Sequence, residues 1–220
     1  MGFAGMDCSR YPGDAVMEDL PKSTNLVWCG FYLGPAPSHP DPSWMDRRNF
    51  LSKQGWGLAP IYVGQQETGP GSHNVTAKQG ELDAADACFL AKAAGFPTSS
   101  VIYLDIEAGG PISNACKAYL SAWADYVKAL DFTPGVYCSY TSIESIEALN
   151  LDLKIWAFKV KNADVSVKKA TPFKDDDPDT DADLESVVAW QWAQNCKIDT
   201  VSGQLQVDLD TASVRDLSQP

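Results

Sequence analysis

The 220-residue chain predicts an α/β fold: a single domain, residues 1–220, built as a modified TIM-type barrel of about five β/α units followed by three strands with degenerate crossovers. Strand-like and helix-like runs alternate through the first two thirds of the chain, which implies a parallel sheet with right-handed crossovers. Three more strand-like runs follow with no long helical pattern between them. Acids stand where strand-like runs end, as expected at the carboxyl face of such a barrel. A doubly wound open sheet is the competing architecture, but the chain has no GxGxxG or GxxxxGK[ST] phosphate loop to motivate it.

Residues 3–7 read as the first strand and 25–33 (NLVWCGFYL) as the second. Residues 43–54 follow as a helix with Ser43 as N-cap. Residues 57–64 (GLAPIYVG) form the third strand. A helix over 78–94 puts Leu82, Ala85, Phe89 and Ala93 on one apolar face and is stopped by Gly95 and Pro97. Residues 100–107 (SVIYLDIE) are a continuous apolar, β-branched run, the pattern of a strand buried on both faces. The long amphipathic helix at 113–130 carries Cys116, Tyr119, Leu120, Trp123, Val127 and Leu130 on its apolar side. The fifth strand is 135–140 (GVYCSY), followed by a short helix at 142–149. Runs at 153–160 (LKIWAFKV), 187–193 (VVAWQWA) and 206–209 supply the last three strands.

Composition excludes several functions. Hydrophobic residues make up 45% and charged residues 21%, an ordinary globular balance. The formal net charge of −12 argues against nucleic-acid binding and gives no attraction to anionic membranes. No apolar run is long enough to insert in a membrane, and the N-terminus has neither a basic region nor a long apolar stretch, so no signal peptide is visible. Cys8, Cys29, Cys88, Cys116, Cys138 and Cys196 show no CxxC or Cys/His clustering, so no metal is expected and no cofactor is called for. They read as buried thiols; an even count permits disulfides in an exported protein, with no pairing legible. The run 174–185 (KDDDPDTDADLE) holds seven acids and reads as a solvated loop; its alternating aspartates resemble a calcium loop but lack the glycine of an EF-hand. His39 and His73 fall in Pro/Gly-rich loops and are expected at the surface.

The residues for chemistry lie at the predicted strand ends. Asp105 and Glu107 are spaced i, i+2 and therefore point to the same side of their strand. Two carboxylates held so close push their pKa values apart, which suits acid/base work. Asp7 ends strand one, and Asp208 and Asp210 lie on the last strand. Tyr62, Gln65, Gln66, Tyr137, Tyr140, Trp156, Gln191 and Trp192 add amides and aromatic rings near the same rim, where they could stack on or hydrogen-bond to a sugar.

Residues 5–13 (GMDCSRYPG), 32–34 (YLG), 55–66 (GWGLAPIYVGQQ), 103–107 (YLDIE) and 134–140 (PGVYCSY) together resemble the bacterial glycoside-hydrolase-like domain of unknown function. That family is similar to the family 25 glycoside hydrolases, the lysozymes of bacteria, fungi and phages. Residues 190–192 (WQW) and 207–210 (VDLD) resemble the last strands of those lysozymes, and Pro12 stands where they carry Gln. The resemblance implies hydrolysis of the β-1,4 bond from N-acetylmuramic acid to N-acetylglucosamine. It makes Glu107 the general acid and Asp105 the carboxylate that orients the N-acetyl group or stabilises charge at the anomeric carbon. Asp7 and Asp208 complete the acid set. Glu107 is expected to be buried and kept protonated by its neighbours, and Asp105 to stay ionised. The partner is then a cell-wall glycan or another polysaccharide, met outside the cell, at the wall or in the periplasm. A phage, secretion or injection apparatus, or a trimmed leader, would deliver the protein there. The alternative from another class is an inactive barrel that binds glycan without cutting it.

Overall fold

The structure is a computed structural model that describes the backbone of residues 2–163, 166–167 and 186–220, and the side chains of 2–160 and 186–220. The acidic run at 174–185 lies outside the described residues. In chain order the elements are β1 (Phe3–Asp7), α1 (Asp14–Ser23), β2 (Trp28–Tyr32), α2 (Arg48–Gln54), β3 (Gly57–Tyr62), α3 (Ala77–Ala93), β4 (Val101–Ile106), α4 (Asn114–Ala129), β5 (Thr133–Ser139), α5 (Ile143–Glu147), β6 (Lys154–Ala163), β7 (Ser166–Val167), β8 (Val187–Thr200) and β9 (Gly203–Ala212).

Strands β1 to β6 lie side by side, all parallel. β6 pairs with β8 in parallel, β8 with β9 antiparallel, and β9 returns antiparallel to β1, closing an eight-stranded barrel. Each of β1 to β5 leads into a helix, so five β/α units precede the closing strands, as the change of spacing along the sequence predicts. β8 and β9 run much longer than their apolar cores suggest and extend as a hairpin past the ring, with the two-residue β7 on its edge. Among the described residues no helix is long and apolar enough to cross a membrane.

The bore is filled rather than hollow. Trp28, Tyr103, Tyr137 and Trp156 point inward and meet edge to face, with Trp156 5.4 Å from Trp28, 6.0 Å from Tyr103 and 5.0 Å from Tyr137. Glycine makes the room: a Cβ on Gly5 would sit 2.0 Å from Trp28 Cε2. Gly5→Ala is therefore expected to lower stability by about 3 kcal/mol, read as a lower urea midpoint, because the ring it strikes is wedged against Trp156.

Three helical details differ from the sequence reading. Ser43 does not cap a helix; α2 starts at Arg48, and Ser43 Oγ instead accepts the Tyr11 N–H at 3.0 Å. On α3 the face drawn through Leu82 and Phe89 is the solvent face, those side chains being 52% and 68% exposed. The buried face is built from Gly80, Asp83, Ala84, Ala87, Cys88, Leu90 and Ala91. Small residues win there because α4 crosses so closely that a Cβ on Gly80 would meet Tyr119 O at 2.4 Å. α1, between the first two strands, carries no strong sequence signal and is seen only here. His39 is buried, against expectation; its ring packs 5.1 Å from Tyr32, and burial pulls its pKa down. His73 is exposed. No disulfide joins the six cysteines, which are all among the described residues; Cys8 is half-buried and the others buried.

Candidate active site

Alternation along each strand decides what reaches the carboxyl face. Asp7 is the last residue of β1, and the antiparallel return of β9 sets Asp208 directly opposite it. Asp105 and Glu107 leave β4 on one side, two residues apart, as their spacing requires. These four acids line one hollow of about 420 Å³, together with Tyr32, Tyr137, Tyr140, Phe158 and Gln191. A second hollow of about 450 Å³ lies across the Asp7–Asp208 pair, between the loop at Cys8–Pro12 and the β8–β9 hairpin. The two share Asp7, Tyr32 and Asp208, so a groove crosses the barrel mouth over these residues.

The acids are held by directed bonds. Tyr32 donates its hydroxyl to Asp7 Oδ1 at 2.7 Å. Asp208 accepts from Gln191 Nε2 at 2.9 Å and from the Asn195 N–H at 2.8 Å, and Tyr137 donates to Gln191 Oε1 behind it. Gln66 clamps the end of β4: its Nε2 donates to Asp105 O at 3.0 Å and its Oε1 accepts the Glu107 N–H at 3.3 Å. Beneath them Trp156 Nε1 donates to Asp210 Oδ1 at 3.0 Å.

Crowding these acids over an aromatic floor raises their pKa values. Burial and the charge of Asp208, with a smaller contribution from Glu107, push Asp7 up to about 7 against the donors that favour its ionised form. Burial, then Glu107 and Asp7, hold Asp105 well above the usual carboxylate range. Asp208 is raised by burial, partly offset by Asn195 and Gln191. Asp210 lies far above the usual range, through burial and then Asp7 and Asp208. Glu107 is exposed at the rim, so the burial expected for it is not found. Asp105, expected to stay ionised, favours its neutral form for the reasons just given.

Other sequence-predicted residues distribute unevenly. Tyr137 and Gln191 line the hollow, and Tyr140 stands on its rim, 48% exposed, with the Lys159 ammonium 5.2 Å from its ring centre. Trp156 is fully buried and forms the floor. Tyr62 and Gln65 do not reach the groove. Tyr62 points outward to α3, where its hydroxyl donates to Asp86 Oδ2 at 2.9 Å, and Gln65 Nε2 donates to Asp83 Oδ2 at 3.1 Å in the same layer. Trp192 alternates with the inward Gln191 and lines neither hollow. Tyr62→Phe should thus leave the groove unchanged while costing about 1 kcal/mol in a thermal melt, the value of one lost hydrogen bond. Sequence reasoning passed over Tyr32 and Phe158; the signal for Tyr32 was present, since Trp28, Gly30 and Tyr32 share one face of β2. Among the described residues no group of three His, Cys, Asp or Glu side chains is placed to hold a metal ion.

A closed α/β barrel with carboxyls gathered at its mouth is the architecture of a glycoside-hydrolase-like domain. The profile of the Rv2525c-like, glycoside hydrolase-like domain family matches residues 22–215, and the chain belongs to that family. A comparison with curated proteins finds no match. Among solved structures, an uncharacterised protein of B. stearothermophilus is similar at a TM-score of 0.67 and 19% identity, covering 98% of each chain. The Tat-secreted protein Rv2525c of Mycobacterium tuberculosis, in complex with L-tartrate, gives 0.66 at 19% identity, again over 98% of each chain. A bacterial lysozyme of Streptomyces coelicolor gives 0.65 at 12% identity, over 99% of this chain and 97% of that one. At such identities the likeness is one of fold.

Proposed function

We propose that the protein hydrolyses the glycan strand of peptidoglycan, cutting the β-1,4 bond from N-acetylmuramic acid to N-acetylglucosamine. The observation that supports this best is the meeting of Asp7, Asp105, Glu107 and Asp208 on one sugar-sized hollow. Glu107 is the general acid. It stands exposed on the rim of that hollow, where a sugar laid across the mouth meets it. Asp105 Oδ1 is buried with no partner among the described residues, so it is offered to the substrate N-acetyl group. Positive charge growing at the anomeric carbon favours ionised Asp105, opposing the neighbours that raise its pKa. Such a substrate places the work at the cell wall.

A second reading, a barrel that binds glycan without cutting it, is favoured by the same shift on Asp105, because a neutral carboxyl is a poor stabiliser of positive charge. Incubation with purified peptidoglycan of several wall types separates them. New reducing ends and falling turbidity are the expected result; co-sedimentation with no new reducing ends, on every wall type, would establish the binding reading instead.

A further inference from the structure

We propose that Gln66 is a positioning residue: its side-chain amide stands in for a strand residue opposite Ile106 and so sets where the Glu107 carboxyl meets the hollow. What that placement does to a glycan rests on the hydrolase reading; the placement itself does not.

The ladder between β3 and β4 runs out before the acids do. Its last pair is Tyr62 with Leu104, and β3 ends there. On the other side β5 stays in register through Ile106 with Cys138. The Asp105 carbonyl and the Glu107 N–H thus extend past the end of β3. In a parallel sheet one residue answers both such groups, donating to the carbonyl before its opposite number and accepting from the N–H after it. The Gln66 carboxamide does the same with the end of a side chain. Its Nε2 donates to Asp105 O at 3.0 Å, and its Oε1 accepts the Glu107 N–H at 3.3 Å. An amide suits the task because it carries donor and acceptor on one planar group. Gln66 is 3% exposed, so bulk water does not compete for either bond.

The amide is held from behind. Gln66 donates its N–H to Ser72 O at 2.8 Å, and its own carbonyl lies 2.8 Å from His73 Nδ1. The preceding residue ties the same loop to α3 and α4. Gln65 donates its N–H to the Tyr119 hydroxyl oxygen at 3.1 Å and Nε2 to Asp83 Oδ2 at 3.1 Å, while its Oε1 accepts the Asn74 N–H at 2.9 Å. Asp83 is buried and also accepts from the Tyr119 hydroxyl at 2.6 Å and from Gln79 Nε2 at 2.7 Å. Gln65, outside the groove, thus acts on it at one remove. Beyond Glu107, Ala108 O accepts from Ser142 Oγ at 3.0 Å, which keeps the segment on its course when Gln66 is changed. What a change at Gln66 frees is the Glu107 peptide, and with it the carboxyl.

Two variants of the full chain test this. Gln66→Met keeps the length and loses both bonds; Gln66→Asn keeps the amide and withdraws it by one methylene, out of reach of both. Amide hydrogen exchange reads the placement without any activity. The Glu107 N–H is expected to exchange about tenfold or more faster in each variant, with Val101 to Leu104 unchanged. On soluble peptidoglycan fragments kcat should fall about 100-fold, the scale of a misplaced catalytic group, while KM stays within about threefold of wild type. Faster exchange along all of β4 would mark a general loosening and overturns the proposal. So does a Glu107 N–H whose protection is unchanged, or hydrolysis at the wild-type kcat once that N–H is loosened. If Gln66→Met does not fold, Gln66→Asn decides. A loosened Glu107 N–H in a protein whose wild type cuts no glycan keeps the positioning and removes the hydrolase reading.

Discussion

On the proposed hydrolase reading, Glu107→Gln is expected to abolish glycan hydrolysis, with release of reducing ends falling by at least about 1,000-fold, inside the range usual for loss of a general acid. The amide keeps the size and shape of the side chain but has no proton to give to the leaving oxygen. The fold should not register the change. Glu107 lies one residue past β4 with its side chain exposed, and what fixes it is a backbone bond to Gln66 at 3.3 Å, which glutamine retains. The expected pair of results is a lost rate and an unfolding midpoint that does not fall, since the variant also removes a charge that Asp7, Asp105 and Asp208 feel. Hydrolysis that persists in the variant would assign the acid elsewhere, with Asp105 the next residue to replace.

The second large effect is on stability, and its sign runs opposite to that of most proteins with carboxylates in ion pairs. Asp7 binds its proton more tightly folded than unfolded, at about 7 against 3.8. A carboxyl raised on folding contributes stability that is complete below about pH 4 and is lost as the pH rises through about 7. Asp105, Asp208 and Asp210 are displaced in the same direction. At about 1.4 kcal/mol per pKa unit, Asp7 alone sets a scale of about 4 kcal/mol. The thermal midpoint should then be roughly 10 °C lower at pH 8 than at pH 5, at 2–4 °C per kcal/mol for a chain of this size. Two groups limit the gain on the acid side. His39 and Asp41 have lowered pKa values, so what they contribute disappears as the pH falls through those values. Melting curves at fixed ionic strength test this; a midpoint that climbs steadily toward pH 8 would contradict the electrostatics of the mouth.

Much of this was legible in the chain, and the rest has physical reasons for being hidden. The run ending in Asp105 and Glu107 revealed its strand, its burial and the common direction of its two acids, because a period of two admits one arrangement. α1 was hidden by Pro21, which lies inside its last turns and removes a backbone donor. The carbonyl thereby released, Met17 O, is taken by Trp56 Nε1 at 2.9 Å, a tertiary contact that no local pattern reports. α3 misled for the reverse reason: Leu82 and Phe89 face water while alanines and a glycine are buried beside Leu90, since the close approach of α4 set the face. Tyr62 closes β3 and Gln65 follows it, which suggested a rim, yet strand parity and the loop after it turn them toward the helices. Trp192 fails by the same parity, one residue from the inward Gln191.

The stopper of tryptophan and tyrosine rings across the bore has a consequence for any polymer this protein engages. Nothing can thread the molecule from end to end. A long chain has to be laid over the opening from the side, so a strand anchored at each end needs only enough slack to dip a few units into the mouth.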